Sequence, residues 1–300
     1  MSFFAPSNRL NFAVLFHNLI SVKMSNDLIQ QNVKSGYAAI VKRNTKKSFL
    51  SNFFQCCDPK EIATEIGKKI GYSEEELKNV PEDANLGIGC GNPTALASIQ
   101  KGETILDLGS GAGFDCFLAS RETGETGKVI GVDITPEMIA QAQKNAEKGN
   151  YKNVEFKIGE IEHLPVESNS IDLIISNCVI NLSSQKEQVF KEAFRVAKPN
   201  GRIIISDIIL LNDLPAYVKK SVEGHIACLA GAVRKEDYIN AIEKAGFIDI
   251  RIDKQAVFPI ELMLNDPIAE KIVRENNLSE NDIKSIANSI ASISISAKKS

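Results

Sequence analysis

Apolar and polar positions fall in blocks along the chain, and the period changes from block to block. Short, nearly continuous apolar runs predict strands at Thr104–Leu108, Lys128–Asp133, Val154–Ile158, Ile171–Asn177, Gly201–Ile209 and Ile248–Val257. Between them, apolar residues at steps of three and four predict helices at Phe114–Arg121, Pro136–Lys148, Gln185–Val196 and Lys235–Ala245. Pro136 suits a first helical turn, and Gly149 is expected to close that helix. Upstream, Leu28 to Asn44 and Pro59 to Ile70 have helical spacing, and Ser73 to Glu76 reads as a capping-box start. Downstream, helices are expected at Pro215–Ala227, Asp266–Glu275 and Ser279–Ile286. The alternating stretch Ile290–Ala297 reads as an edge strand. Strands without alternation need cover on both faces. The pattern is therefore α/β: a doubly wound, mostly parallel, Rossmann-like sheet with a smaller C-terminal α+β region.

The chain is organised around Thr104 to Gly113, T-I-L-D-L-G-S-G-A-G. An apolar run ends in Gly109, Gly111 and Gly113, and a helix follows. Glycine permits φ > 0 and close approach of a ligand to the backbone at a helix N-terminus. A dinucleotide fingerprint needs a glycine where this chain has Phe114, so that motif is excluded. Asp133 closes the next apolar run. An acid at that strand tip can accept both hydroxyls of a ribose. Ligands of such sheets sit beyond the carboxyl ends of the strands, so Asp133, Asn177 and Cys178 fall on the same rim as the glycine turn.

Composition narrows the picture. The 300 residues are 43% hydrophobic and 24% charged, ordinary for a globular protein. A net charge of −3 offers no electrostatic case for nucleic acid. No apolar run reaches the ~18 residues of a membrane helix. Residues 1–23 hold no acid and show no small-residue cleavage site, which argues against a secretory signal. Residues 1–26 are read as a disordered tail or an overlong start assignment, with a transit peptide as the second reading.

Six cysteines occur, Cys56, Cys57, Cys90, Cys116, Cys178 and Cys228, in a chain whose length and pattern do not suggest a disulfide framework. Reduced thiols in a cytoplasmic protein are expected. Cys90 lies in the glycine-rich loop Asn85–Pro93, Cys178 just past a strand and Cys228 past a helix. A cysteine framed by glycines suits loop backbone more than a core. No C-x-x-C zinc spacing is present. From spacing alone, the three are unrelated thiols.

Local sequence adds to that reading. Asp107-Leu-Gly-Ser-Gly-Ala-Gly113 resembles the first motif of class I S-adenosylmethionine-dependent methyltransferases. Gly-Cys90-Gly-Asn-Pro, Ser176-Asn-Cys178-Val-Ile-Asn-Leu and Cys228-Leu-Ala-Gly-Ala resemble motifs of the arsenite S-adenosylmethionine methyltransferase family, as do Phe-Asp-Cys116 and Gly159-Glu-Ile-Glu162. The resemblance runs from about Val33 to Pro259. Ile88 stands where some members carry Tyr. The resemblance implies an S-adenosylmethionine site on Asp107, Gly109, Ser110, Gly111, Gly113, Asp133, Ile134, Thr135, Ile161, Glu162 and Asn177. It also implies trivalent arsenic held by Cys90, Cys178 and Cys228, with Cys56 or Cys57 at the family's amino-terminal cysteine position.

The chemistry agrees with that implication. Thiolates select soft ions, and three of them around arsenic leave one lone pair for attack on a sulfonium methyl. Proximity suffices, and no general base is required. His163 and His225 are therefore read as structural, although His225 can lower the pKa of Cys228. Each transfer formally oxidises the arsenic, so Cys56 and Cys57 are expected to take part in a redox relay with Cys90, reopened by thioredoxin or a glutathione-type reductant. The expected organisation is a methyltransferase domain over residues 27–210, with a substrate-binding region over residues 211–300. The alternatives are a class I methyltransferase for another small molecule such as a quinone precursor, a non-catalytic thiol-based metalloid binder, and a zinc site at the three thiols.

Overall fold

The computed structural model describes residues 30, 31, 33–41, 59–214, 231–257, 274 and 277–300. A helical segment, α1 (residues 33–41), precedes α2 (Pro59–Ile70), α3 (Glu74–Lys78) and α4 (Pro93–Leu96). The sheet then begins: β1 (Thr104–Leu108), α5 (Phe114–Thr123), β2 (Lys128–Asp133), α6 (Pro136–Gly149), β3 (Val154–Ile158) and β4 (Ile171–Asn177). After it come α7 (Lys186–Val196), β5 (Ala197–Leu210), α8 (Lys235–Lys244), β6 (Phe247–Val257), α9 (Glu280–Asn288) and β7 (Ile290–Lys299). The seven strands lie in the order β3-β2-β1-β4-β5-β7-β6, with β7 antiparallel to both neighbours. Among the described residues, no helix is long and apolar enough to cross a membrane.

The apolar runs form strands because both faces are covered. On β1, Ile105 packs with Phe117, Val129 and Leu173 under α5 and α6. Leu106 and Leu108 face the other way, toward Phe190 of α7 and Tyr238 and Ile242 of α8. Strand β4 is buried at Ile171, Leu173, Ile174 and Ile175, which removes the alternation a one-sided strand shows. The expected capping box at Ser73 is formed: its hydroxyl accepts from Glu76 N at 3.2 Å, and Glu76 Oε2 accepts from Ser73 N at 2.7 Å.

Two local readings change. Gly149 is the last helical residue of α6, and Asn150 takes the left-handed position at φ +55°. Asparagine tolerates that region because its short side chain hydrogen-bonds locally. Strand β7 is an inner strand between β5 and β6. Its alternation of isoleucine and serine does not mark an exposed face: Ile293, Ile295 and Ser294 are all buried. The serines provide small polar surface where a loop approaches. Ser294 Oγ lies 3.2 Å from Ser206 Oγ, and Ser292 Oγ donates to the Cys90 carbonyl at 2.7 Å. The helices expected at Pro215–Ala227 and, for all but residue 274, at Asp266–Glu275 lie outside the described residues.

Because β7 sits inside the sheet, Ile295 is core. Ile295→Ala is expected to lower unfolding free energy by about 2–5 kcal/mol, the usual range for emptying a buried isoleucine site. Urea denaturation checks this, and a loss below ~1 kcal/mol would place the side chain outside the core.

Candidate functional site

The rim at the carboxyl ends of β1, β2 and β4 opens into a cleft, with Val33 and Tyr37 of α1 at its border. The turn after β1 builds its floor. Gly109, Gly111 and Gly113 have φ of +70°, +52° and +94°, a region side chains rarely occupy. At Gly109 a Cβ would also stand 2.3 Å from Val179 Cγ2, so the turn cannot carry a side chain there. Gly113 caps α5 and lies against Phe117 and Phe156, where it serves helix–sheet packing. Gly109, Ser110 and Gly111 line the cleft. Ser110 Oγ is buried and has no hydrogen-bond partner among the described residues.

Asp133 stands at the tip of β2, where Gly111 N donates to Oδ2 at 3.0 Å and Thr135 N to Oδ1 at 2.8 Å. These bonds aim the carboxylate and leave lone pairs on both oxygens. Burial pushes its pKa up, and the backbone donors oppose that shift. Ile134, Thr135, Ile161 and Glu162 line the same cleft. Glu162 is 4% exposed and accepts the Ser183 hydroxyl.

A second pair of acids lies deeper. Asp107 on β1 accepts the Cys116 thiol at 3.2 Å, and Asp115 in the first turn of α5 accepts the Tyr72 hydroxyl at 2.6 Å. Burial raises both carboxyls, Asp115 to about 6, and the charge of Asp115 adds to the rise at Asp107. Both line the cleft. Two buried carboxyls beside an orphaned hydroxyl suit a ligand that is cationic and polar.

The thiols lie alongside. Asn177, last residue of β4, donates to Gly91 O at 2.9 Å, Tyr72 Oη at 2.9 Å and Asp115 Oδ2 at 3.1 Å. Its Oδ1 accepts from Cys90 N at 3.0 Å. The glycine loop is thereby fastened to the strand end, and Cys90 is 3% exposed, a core position despite its flanking glycines. Cys178 follows Asn177 with φ +60° and donates its N–H to Ser206 O at 2.8 Å. A left-handed non-glycine residue costs about 1–2 kcal/mol, so the surroundings hold it there. The two sulfurs and a carboxylate oxygen of Asp207 on β5 lie within 4.8 Å of one another, and all three residues are buried. Burial drives the Asp207 carboxyl to about 6, against donors from Ile208 N, Tyr238 Oη and Asn181.

The structure thus gathers Cys90 and Cys178 beside the cleft that holds Asp107, Gly109, Ser110, Gly111, Asp133, Ile134, Thr135, Ile161 and Glu162. It gives Asn177 a role sequence reading did not assign, anchoring the Cys90 loop. Cys228, Cys56, Cys57 and His225 lie outside the described residues. His163 is largely exposed and 3.9 Å from Glu160. Asp207 and Tyr72 were not anticipated. An acid inside Ile203-Ile-Ile-Ser-Asp207-Ile-Ile-Leu210 was the available signal, since charge in an all-apolar strand needs partners.

Residues 99–246 match a family described as a methyltransferase domain. An arsenite methyltransferase of Halobacterium salinarum is 46% identical over 197 residues, 66% of this chain and 50% of that protein. The human arsenite methyltransferase is 33% identical over 234 residues, 75% of this chain and 59% of that protein. The chain spans about half the length of the curated relatives it matches. A crystal structure of an arsenic(III) S-adenosylmethionine methyltransferase from Chlamydomonas reinhardtii is 32% identical, with a TM-score of 0.55, covering 81% of this chain and 74% of that one. A Bacillus subtilis structure with a TM-score of 0.56 at 19% identity shares the fold.

Asn177→Ala should release the Cys90 loop while leaving both cysteines in place, removing the acceptor of the Cys90 N–H and of its thiol at 3.8 Å. Losing a buried network of this kind costs about 1–3 kcal/mol, so maleimide labelling of Cys90, read by mass spectrometry, should accelerate about tenfold or more. An unchanged rate would show that the loop is held by something else.

Proposed function

This chain belongs to the arsenite S-adenosylmethionine methyltransferase family of class I methyltransferases, and from that membership we propose that it transfers methyl groups to trivalent arsenic bound at its thiols, as in arsenic detoxification. The observation that carries the reading is the pairing of two buried thiols, Cys90 and Cys178, beside a cleft that Cys178 lines.

S-adenosylmethionine supplies, when bound, an electrophilic methyl on a sulfonium that departs as a neutral thioether. The cleft suits such a donor. Asp133 has lone pairs available for ribose hydroxyls, Ile161 and Glu162 form the adenine side, and the Asp107–Asp115 pair favours positive charge. Cys90 and Cys178, as thiolates, hold arsenic and leave its lone pair free to attack, with Cys228 proposed as the third ligand. The acceptor thus carries its own electron pair, and the residues around it need only hold position.

Methylation leaves arsenic formally pentavalent, so a second round needs two electrons. We assign them to a thiol pair that closes to a disulfide, Cys56 or Cys57 with Cys90, reopened by an external dithiol of the thioredoxin or glutathione class. The proposed organisation is a donor-binding domain over residues 27–210 and a substrate-side region over 211–300, which carries Cys228. Dependence on thiolates supports a reducing compartment, and we assign the cytoplasm.

Incubation of the protein with arsenite, methyl-labelled S-adenosylmethionine and a dithiol should give labelled methylarsenicals. Cys178→Ser should cut that yield by more than the ~10–100-fold that loss of an outer-shell partner costs at a metal site. Label appearing in a quinone-type acceptor instead, with none in arsenic, would overturn the reading. Asp133→Ala should weaken S-adenosylmethionine binding by about 1–3 kcal/mol in calorimetry, because ribose hydroxyls lose a buried acceptor. Unchanged affinity would remove Asp133 from the donor site.

A further inference from the structure

Sequence reading offered zinc the three thiols, with His225 as the only nearby candidate for a fourth ligand; both Cys228 and His225 lie outside the described residues. The fold supplies another. Asp207 lies on β5 immediately after Ser206, whose carbonyl accepts the Cys178 N–H at 2.8 Å and contacts Cys90 Sγ at 3.5 Å. Two thiols and a carboxylate therefore converge from three separate elements: the glycine loop, the end of β4 and β5. All three ligand atoms lie within 4.8 Å of one another. A tetrahedral zinc with Zn–S near 2.3 Å and Zn–O near 2.1 Å keeps its ligand atoms about 3.6–3.8 Å apart. Closing the cluster needs shifts of no more than about 1 Å.

The carboxylate is equipped for the role. Oδ1 accepts from Asn181 Nδ2 at 2.8 Å and Ile208 N at 2.9 Å, which fixes its plane. Oδ2 accepts from Tyr238 Oη at 2.9 Å and has a further lone pair. Among the described residues no ion pair reaches Asp207, which is fully buried. Burial is the largest influence on its carboxyl and raises its pKa, while Lys186, beyond ion-pair distance, lowers it electrostatically. Asn181 holds a buried Oδ1 with no hydrogen-bond partner among the described residues, an acceptor suited to a cation-bound water.

We propose that Cys90, Cys178 and Asp207 form a binding site for a thiophilic divalent cation of the zinc and cadmium class. The site shares its two sulfurs with the arsenic site proposed above, so cation and trivalent arsenic exclude each other; that exclusion rests on the arsenic reading, whereas the cation site does not. The carboxylate separates the two occupants. Borderline-soft divalent cations take mixed sulfur and oxygen ligands, whereas the soft trivalent metalloid is matched to thiolates. Asp207 is therefore the ligand that only the cation uses.

The test is a cadmium(II) titration of the full chain, reduced with a phosphine, followed by the ultraviolet thiolate-to-cadmium absorption and repeated with arsenite as competitor. One cadmium per chain, displaced by arsenite, is the expected result. Asp207→Asn should lower cadmium affinity about 10–100-fold or more, and by at least tenfold more than it lowers arsenite affinity. Equal losses would mean that Asp207 only supports the fold, and would overturn the proposal. A cadmium soak of wild-type crystals gives the answer without a variant. Anomalous density bonded to both sulfurs and to the Asp207 carboxylate supports the site, and density on sulfur alone overturns it. Arsenite binding with no cadmium binding refutes the cation site and leaves the methyl-transfer reading intact. Cadmium binding at all three ligands with no arsenite binding does the reverse.

Discussion

One carboxamide ties the two halves of the site together. Asn177 donates to the Gly91 carbonyl, the Tyr72 hydroxyl and the Asp115 carboxylate, and accepts from the Cys90 amide. Its position at the end of β4 makes the bonds possible, because β4 is central, flanked by β1 and β5, and buried at Ile171 and from Leu173 to Ser176. A rigid strand end thus fixes a loop that would otherwise be free to move through its three glycines. The same residue touches Asp115, which lines the donor cleft. The arrangement makes the geometry of the thiols depend on the packing around the cleft, and a disturbance on either side reaches the other through one side chain.

The second constraint is backbone conformation. Gly109 cannot hold a Cβ, since Val179 occupies the space, and Val179 directly follows Cys178. The glycine turn and the cysteine turn therefore interlock: one supplies emptiness, the other fills it. Cys178 accepts a left-handed φ as the cost of this fit, offset by its N–H bond to Ser206. Serine recurs along the neighbouring strands for a related reason. At Gly91 a Cβ would stand 2.7 Å from Ser206 Oγ, so only small side chains let the Cys90 loop sit against β5. Polarity at positions 292 and 294 follows the same close approach of chain to chain.

These contacts explain what the sequence disclosed. Strands β1, β2 and β4 were legible to the residue because nearly continuous burial erases ambiguity about face, and β3 was read to the same bounds although only Phe156 of it is buried. The glycine turn and Asp133 were legible because their conformational and chemical requirements are local. Strand β7 was misread as an edge, since alternation reports polarity but not what causes it. Asp207 and Tyr72 escaped notice for a different reason: their meaning is tertiary. An aspartate in an apolar run signals a buried partner without naming it. Only the order β4-β5 brings that carboxyl beside a thiol from a loop more than a hundred residues upstream. Cys90 looked like a loop residue from its glycines, and its burial comes from Asn177 and Ser292, which no local pattern announces.

The electrostatics of the rim follow from the same economy of space. Asp107, Asp115 and Asp207 are each buried with raised pKa values, and each is hydrogen-bonded by a neutral partner: a thiol, a phenol, an amide. Neutral donors satisfy geometry but do not neutralise charge, so burial raises all three pKa values, although Lys186 acts to lower that of Asp207. A protein built only for stability would replace them with apolar residues. Their retention next to a glycine cradle and two thiols concentrates unmet negative potential where cationic and thiophilic groups would enter. In such a site occupancy does the neutralising that the fold leaves undone, and the affinity for cationic ligands comes in part from offsetting the burial of these carboxyls.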